Sequence, residues 1–252
     1  GAAGDQAGPS IFCVSDGDGV VSDNCKIAFG DGVDDGTATL TMIDCTDDED
    51  CSTNGGNIGI DTDIGTSTVV VHTSIYCPSD ADCKIIYDDS ASNDVTLVDC
   101  SSATCNTRDA ITDLDTNAGT NPKTAIDCSP GADNCKVVWH DNSATGGCLD
   151  ANSLCFADCI NAACTTPTLT AVDSDIGTTT NQPPVAIDCA GSDTDCKVVY
   201  GDVTAGDVFF VDCPDAACTA TGRTITQIDA TGGGAANVNY DVDLDCVAAD
   251  DC

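Results

Sequence analysis

A cysteine-bracketed hairpin, present in five copies, constrains this chain more than any other feature of its sequence. The stretch "AIDCAGSDTDCKVVYGD", residues 186–202, repeats the pattern of "AIDCSPGADNCKVVWHD", residues 125–141. Aligning the first cysteine of each copy gives intervals of 64, 51, 61 and 57 residues. These leading cysteines are Cys13, Cys77, Cys128, Cys189 and Cys246. A repeat of this length indicates tandem copies of one supersecondary unit that pack on their neighbours.

Each full unit contains four short apolar runs. The first run ends at the leading cysteine, and the second begins with Cys-Lys and closes near an aspartate, as in "CKVVYGD". The third run ends on Asp-Cys, as in "FFVDC", and the fourth follows a short cysteine-closed loop, as in "TITQID". Runs of this length between turns rich in Gly, Asp and Ser predict β-strands, and no helical period lies between them. The sequence therefore predicts an all-β fold of tandem four-stranded antiparallel units.

The boundaries of the units follow from the repeat. Residues 1–10 form an N-terminal arm, and residues 11–252 form a single repeat domain. The full units span residues 11–68, 69–120, 121–180 and 181–238, and residues 239–252 begin a fifth unit. That last segment, "NYDVDLDCVAADDC", would supply a first strand and a stapled turn. The alternative is that the chain is a fragment of a longer repeat protein.

The segment "PPVAIDCAGSDTDCKVVYGDVTAGDVFFVDC" resembles a blade of the β-propeller repeats of secreted bacterial proteins. The resemblance extends from about Ser10 to Cys252 and implies a propeller-like array of four or five sheets, each packed on the next. Commoner blades of this kind lack cysteines, so the chain is similar to a cysteine-rich variant. Alternating apolar residues are expected to form the core, among them Ile126, Val138 and Val199.

Twenty cysteines in 252 residues approach the density of disulfide scaffolds, which do not persist in a reducing cytosol. Pairing each cysteine across its adjacent turn gives ten local disulfides. The predicted pairs are Cys13–Cys25, Cys45–Cys51, Cys77–Cys83, Cys100–Cys105, Cys128–Cys135, Cys148–Cys155, Cys159–Cys164, Cys189–Cys196, Cys213–Cys218 and Cys246–Cys252. Metal clusters are the alternative, but only His72 and His140 could help to complete tetrahedral sites. The cysteines therefore predict an exported protein, secreted or at the cell surface.

Acidic residues dominate the charge of the chain. There are 43 acidic and seven basic residues, which gives a net charge of -36. A chain of this charge repels nucleic acid and anionic lipid surfaces. The longest aliphatic run, Val69 to Val71, is far shorter than the roughly 20 residues needed to span a bilayer. We therefore expect neither a nucleic-acid partner nor membrane insertion.

Three loops after the fourth runs carry oxygen ligands two residues apart and then a glycine: "DTDIGT", "DTNAGT" and "DSDIGT". This spacing resembles the opening of a calcium loop. The candidate calcium ligands are Asp61, Asp63, Asp115, Asn117, Asp173 and Asp175. No later acidic residue supplies the bidentate end of an EF-hand, so simple turn formation by Asp, Asn and Gly is the competing interpretation. The degenerate "DATGGG" at Asp229 and the acidic loop at residues 15–23 raise the same alternatives.

The third unit breaks the pattern, because His140 stands between Trp139 and Asp141 beside the inserted loop "CLDANSLC". His140 could serve acid–base chemistry or form a sugar-stacking surface with Trp139, although a lone histidine beside a core tryptophan is usually structural. Aspartates that end the second run either line one face or cap the following turn. They are Asp31, Asp89, Asp141 and Asp202. No catalytic triad, zinc motif or phosphate loop occurs, so we predict no catalytic residues and no cofactor besides calcium.

The features of the sequence are spread almost evenly over the units, which suits a scaffold better than an enzyme, whose site needs a unique constellation. We expect a non-enzymatic extracellular structural protein, a subunit of a filament, tube or surface layer built head to tail from copies of itself. The partial fifth unit would leave a strand edge open for strand addition. The alternative is a secreted ligand-binding, lectin-like, adhesive or hydrolytic β-propeller, with a glycan as the candidate ligand.

Overall fold

The computed structural model describes residues 7–14, 24–32, 38–45, 51, 58–65, 71–119, 122–129, 134–148, 151–177, 183–190, 193–229, 242–246 and 252. Within these ranges, all helical or extended secondary structure is β-strand. No helix capable of crossing a bilayer occurs among them. The acidic loop at residues 15–23 lies outside the described residues.

The described strands form four sheets that follow one another along the chain. The first sheet contains β2 (Ser10–Val14), β3 (Asn24–Gly32), β4 (Ala38–Cys45) and β5 (Ile58–Asp61). The second contains β6 (Val71–Ser79), β7 (Asp82–Asp89), β8 (Asp94–Cys100) and β9 (Arg108–Asp115), and β1 (Ala7–Gly8) is added beside β6. The third contains β10 (Thr124–Cys128), β11 (Cys135–Asp141), β12 (Ser153–Asp158) and β13 (Thr168–Ser174). The fourth contains β14 (Val185–Asp188), β15 (Cys196–Asp202), β16 (Asp207–Cys213) and β17 (Thr224–Asp229).

The predicted fold class is confirmed, because each full unit is one four-stranded antiparallel meander. Each strand pairs with the strand that precedes it in the chain, as short hairpin turns require. The N-terminal arm departs from this pattern, since Ala7 and Gly8 pair in parallel with Val71 and His72 of the second sheet. Two small residues carry no apolar alternation, so the sequence contained no signal for this pairing.

Consecutive sheets pack face to face around their first strands, β2, β6, β10 and β14, which are neighbours in space. We call the side of a sheet that meets the preceding sheet its front face, and the opposite side its back face. Leu40 and Met42 on the back face of the first sheet pack with Ile85 and Tyr87 on the front face of the second. The same arrangement recurs at the next two boundaries. The four sheets do not close into a ring within the described residues.

The second strand of each sheet lies at the centre of this packing. All seven residues of β11 are buried, including the polar Lys136, His140 and Asp141, because both faces of this strand are covered. The outer strand β17, in contrast, is exposed along its whole length. The three predicted core residues Ile126, Val138 and Val199 are all buried.

All twenty cysteines form ten disulfides, and the pairs are those given by local pairing across the turns. In the first sheet Cys25 lies opposite both Cys13 and Cys45, so two disulfides lie side by side at one end of the sheet. Cys83 faces Cys100 and Cys196 faces Cys213 in the same way. A disulfide-rich all-β chain of this kind indicates an oxidising, extracellular environment.

The start of the fifth unit docks on the fourth sheet. The backbone N–H of Cys246 donates to Oδ2 of Asp188 at 2.9 Å, and that of Cys189 donates to Oδ2 of Asp127 at 2.6 Å. The same bond therefore joins the fourth unit to the third and the fifth to the fourth. The described residues 242–246 do not form a strand, so the first strand predicted for this unit is absent from that segment.

Candidate functional site

A buried lysine on the second strand of each sheet faces an aspartate on the third strand. The pairs are Lys26–Asp44, Lys84–Asp99, Lys136–Asp158 and Lys197–Asp212. The lysine Nζ lies 2.6, 2.6 and 2.7 Å from the aspartate Oδ1 in the second, third and fourth sheets. Because a buried ammonium without a counter-charge is very costly, the aspartate is required for the lysine to be buried.

Three of these lysines contact a second carboxylate. Lys84 and Lys197 each bond to the aspartate two residues earlier in the chain: Asp82, the first residue of β7, and Asp195, just before β15. Lys26 bonds instead to Asp80, at the hairpin of the second sheet, 2.5 Å away. In the third sheet the residue two positions before Lys136 is an asparagine, Asn134.

Burial and the contacts with carboxylates shift the pKa of Lys84 and Lys197 in opposite directions. Burial lowers the pKa of Lys84, but hydrogen bonds to Asp82 and Asp99 outweigh it, so the pKa of Lys84 is raised. Lys197 shows the same balance: the bonds to Asp195 and Asp212 raise its pKa against the effect of burial. The side chains are therefore ion pairs at neutral pH.

A second repeated interaction crosses the boundaries between sheets. The hydroxyl of Tyr87 donates to Asp61 Oδ2 at 2.7 Å, and the indole Nε1 of Trp139 donates to Asp115 Oδ2 at 3.1 Å. Tyr200 donates in the same way to Asp173. In each case an aromatic side chain of the second strand reaches the end of the fourth strand in the preceding sheet. Burial and the adjacent carboxylate raise the pKa of the Tyr87 hydroxyl.

The six predicted calcium ligands fall into two groups. Asp61, Asp115 and Asp173 accept the inter-sheet hydrogen bonds just described, and the other three residues lie in the loops that follow. Oδ1 of Asp61 accepts the backbone N–H of Asp63 at 3.4 Å, and Oδ1 of Asp115 accepts those of Asn117 at 3.1 Å and Gly147 at 2.8 Å. Asp63 and Asp175 are exposed, and Asp175 has a φ of 76°. The leading aspartates thus form turns and inter-sheet bonds, and calcium at these loops stays a prediction.

A pair of buried carboxyl groups occupies the boundary between the second and third sheets. Ligand atoms of Asp115, Asp141 and Cys155 lie within 4.8 Å of one another. Because Cys155 is bonded to Cys148, the two carboxylates are the hard ligands of this group. Burial raises the pKa of Asp141 to about 7, and the charge of Asp115 adds to the effect.

Three of the four aspartates near the ends of the second strands cap the following turns, as one of the two sequence interpretations predicts. The turn after the fourth, Asp31, lies outside the described residues. The side chains of Asp89, Asp141 and Asp202 accept the backbone N–H two residues later, at 2.9, 2.7 and 2.7 Å. These carboxylates therefore satisfy backbone donors that the strands leave free.

His140 and Trp139 do not form a surface site. Trp139 is fully buried, which rules out the sugar-stacking alternative, and His140 is only 1% exposed, so the pair is part of the core as the structural interpretation predicts. Both ring nitrogens of His140 lack a protein hydrogen-bond partner among the described residues. Burial lowers the pKa of His140 to about 3, so the imidazole is neutral at physiological pH.

A cavity of about 670 Å³ lies on the axis where the first strands of the sheets meet. It is lined by residues 8–11, 72–75, 123–126 and 184–187, together with Val242 and Asp243. His72 and Lys123 occupy equivalent positions in it, one residue before Thr73 and Thr124. Burial and the charge of Lys123 lower the pKa of His72 to about 3.

The cavity lies between all four sheets rather than within the third unit, where His140 and the inserted loop break the repeat. One signal was available: Lys123 is the lysine that does not belong to the repeated Cys-Lys register. The cavity itself depends on the arrangement of the sheets, which no local pattern encodes.

The class defined by this fold is a disulfide-stapled tandem array of antiparallel β-sheets. No protein-family model matches the sequence, and no curated protein matches it. Among solved structures, the chain is similar to a protein of unknown function from Dyadobacter fermentans, with a TM-score of 0.53 and 10% identity. The match covers 90% of this chain and 66% of the other, so the chain spans just under two thirds of that protein. At this identity the likeness shows the fold alone.

Proposed function

We propose that the chain is a non-enzymatic extracellular structural subunit that assembles head to tail, with the front face of its first sheet packed on a second copy. The observation that carries this proposal is the exposure of that face. Ile11 is 61% exposed, whereas the equivalent Ile75 of the second sheet is 4% exposed because the first sheet covers it. Ile27, Ile43 and Phe29 extend the same face and are half-buried.

The back face of the fourth sheet offers the matching surface. Phe210 lies there beside Val199 and Thr226 and is half-buried, whereas the equivalent Phe156 of the third sheet is fully buried under the fourth sheet. Within the molecule, the back face of each of the first three sheets packs on the front face of the next sheet. A second copy therefore presents the surface that this geometry already accommodates, and a contact between unlike faces propagates into a filament.

The aromatic residue on the front face differs between the first sheet, which has no sheet before it, and the three sheets that follow. Tyr87, Trp139 and Tyr200 each donate to an aspartate of the preceding sheet. The first sheet carries Phe29 at this position, which has no donor and makes an apolar contact surface. An intermolecular contact at this face would thus rest on apolar burial, at about 25 cal/mol per Å².

The test is a pair of matched surface substitutions followed by electron microscopy and light scattering. Ile11→Lys places a charge on the front face and is expected to abolish assembly while the monomer keeps its melting temperature. Ile160→Lys is the control, because Ile160 is also 61% exposed but lies in the loop after β12. Assemblies of normal length from the Ile11→Lys protein would refute the proposed contact.

A second candidate function, ligand binding, rests on the axial cavity. Its volume of about 670 Å³ is in the range of small-molecule sites, and Lys123 and His72 give it a polar end. A glycan or a small anion detected by array screening, with binding lost in Lys123→Met and kept in Ile160→Lys, would support this function. Equal binding by both variants would exclude the cavity as the site.

A further inference from the structure

We propose that two of the buried lysine–aspartate pairs, Lys26–Asp44 and Lys84–Asp99, condense into intramolecular amide bonds that cross-link neighbouring strands. The inference is independent of the assembly proposed above. It rests on three properties of these pairs: their direct cross-strand register, the burial of both reacting groups, and a second carboxylate in contact with the amine.

The register brings the reacting atoms together without distortion of the sheet. Lys84 on β7 is directly opposite Asp99 on β8, and its Nζ lies 2.6 Å from Oδ1 of that aspartate. Lys26 on β3 and Asp44 on β4 have the same relationship. Each amine is thus already held against the carboxyl group that it would attack, which removes most of the entropic barrier of a bimolecular condensation.

Burial favours the product. The side chains of Lys84 and Asp99 are 2% and 5% exposed, so both charges are held where desolvation is expensive. An amide carries no charge and replaces this ion pair by a neutral group. A cavity of about 320 Å³ lined by Asp82, Lys84 and Asp99 provides the route by which the released water leaves.

The second carboxylate supplies the proton relay. Asp82 contacts the Lys84 ammonium and is 37% exposed, and Asp80 contacts the Lys26 ammonium from the second sheet. The relay carboxylate takes a proton from the ammonium and passes it to the opposite aspartate, and the free amine then attacks Cγ of that neutral carboxyl group. A C–N bond forms and one Cγ–O bond breaks. Two protons that leave the nitrogen join that oxygen as water, and the relay returns to its ionised form.

The other two sheets act as internal controls, because each lacks one of these properties. In the third sheet Asn134 stands at the position of Asp82, as Asn24 does in the first sheet. Lys26 contacts Asp80 of the next sheet instead, whereas Lys136 forms an ion pair with Asp158 alone among the described residues. In the fourth sheet Asp212 is 41% exposed, and water competes for its carboxylate. The structure therefore assigns amide bonds to the first and second sheets alone.

The measurement is the intact mass of the mature protein after complete reduction and alkylation, followed by mapping of the linked peptides. Each amide lowers the mass by one water, about 18 Da, and the deficit of two waters should map to Lys26–Asp44 and Lys84–Asp99. Asp82→Asn should restore one water while the protein keeps its circular-dichroism spectrum and its ten disulfides.

Asn134→Asp is the converse test, because it is expected to create an amide bond rather than to remove one. A positive result therefore cannot be explained by a variant that fails to fold. The substitution places the relay carboxylate beside Lys136 and Asp158, and a third amide with a further loss of one water is expected. A wild-type mass without any deficit would overturn the proposal, and so would a deficit that maps to the third or fourth sheet of the unaltered protein.

Discussion

The hydroxyl of Tyr87 donates a hydrogen bond of 2.7 Å to Oδ2 of Asp61, across the boundary between the first and second sheets. Tyr87 is fully buried, and the same bond recurs at the next two boundaries with Trp139 and Tyr200 as donors. The repeat thus contains a polar contact that fixes how one sheet is placed on the next, in addition to the apolar packing that holds them together.

Tyr87→Phe tests the contribution of this contact. The substitution keeps the ring and leaves a carboxylate oxygen of Asp61 without its donor, so the free energy of unfolding should fall by about 1–3 kcal/mol. Chemical denaturation of Tyr87→Phe, Asp61→Ala and the double variant forms a double-mutant cycle. A coupling energy near zero would mean that the two side chains contribute independently and that the bond does not stabilise the boundary.

Interactions within one unit were largely predictable from the sequence. The ten disulfides follow from cysteines that flank single turns, where the chain itself keeps the partners close. The buried Lys84–Asp99 pair was missed, although its signal was present. A second strand that begins Cys-Lys and a third that ends Asp-Cys must place lysine opposite aspartate once their cysteines are opposed.

Interactions between units were not predictable, because they depend on how the sheets stack. From their local spacing, Asp61 and Asp115 are either candidate calcium ligands or turn residues, and the structure shows that Tyr87 and Trp139 reach them from the next sheet. No pattern within a single unit encodes that contact. The burial of His140 has the same origin, since the fourth sheet lies over the back face of the third.

His140 makes the stability of the protein depend on pH. Its pKa is about 3 in the folded protein and 6.5 in an exposed histidine, so its contribution to stability is present above pH 6.5 and is lost as the pH falls toward 3. At pH 4.5 the loss is about 3 kcal/mol, since each pKa unit corresponds to about 1.4 kcal/mol.

The measurement is the change in melting temperature between pH 7 and 4.5, compared between the wild type and His140→Leu. Between pH 7 and 4.5 we expect the melting temperature of the variant to fall less, or to rise more, than that of the wild type. Asp141 acts in the opposite direction: its pKa is raised to about 7, so its contribution is present at low pH and is lost as the pH rises through 7. The comparison with a variant isolates the histidine from this effect. Identical pH profiles would contradict the assignment.

Calcium at the inter-sheet loops predicts that a chelator lowers the melting temperature. The exposed members of the loops, Asp63 and Asp175, are the ones to change, because Asp61 and Asp115 also hold the sheets together through Tyr87 and Trp139. Asp63→Asn combined with Asp175→Asn should reduce the effect of the chelator. If the loops are turns without a cation, chelator will leave the melting temperature of both proteins unchanged.

The Lys136–Asp158 pair provides a test of what a buried charge contributes in this fold. Its Nζ–Oδ1 distance is 2.6 Å, and the side chains are 2% and 12% exposed. Lys136→Met leaves the carboxylate of Asp158 buried without its counter-charge, and this should lower the free energy of unfolding by about 3–5 kcal/mol. The double variant Lys136→Met/Asp158→Leu removes both charges and keeps the apolar volume, so its stability should return to within about 1 kcal/mol of the wild type. The measurement is the free energy of unfolding of the wild type, the single variant and the double variant, obtained from chemical denaturation at pH 7. A double variant as unstable as the single one would show that the ion pair itself, rather than the avoidance of an unpaired charge, stabilises the sheet.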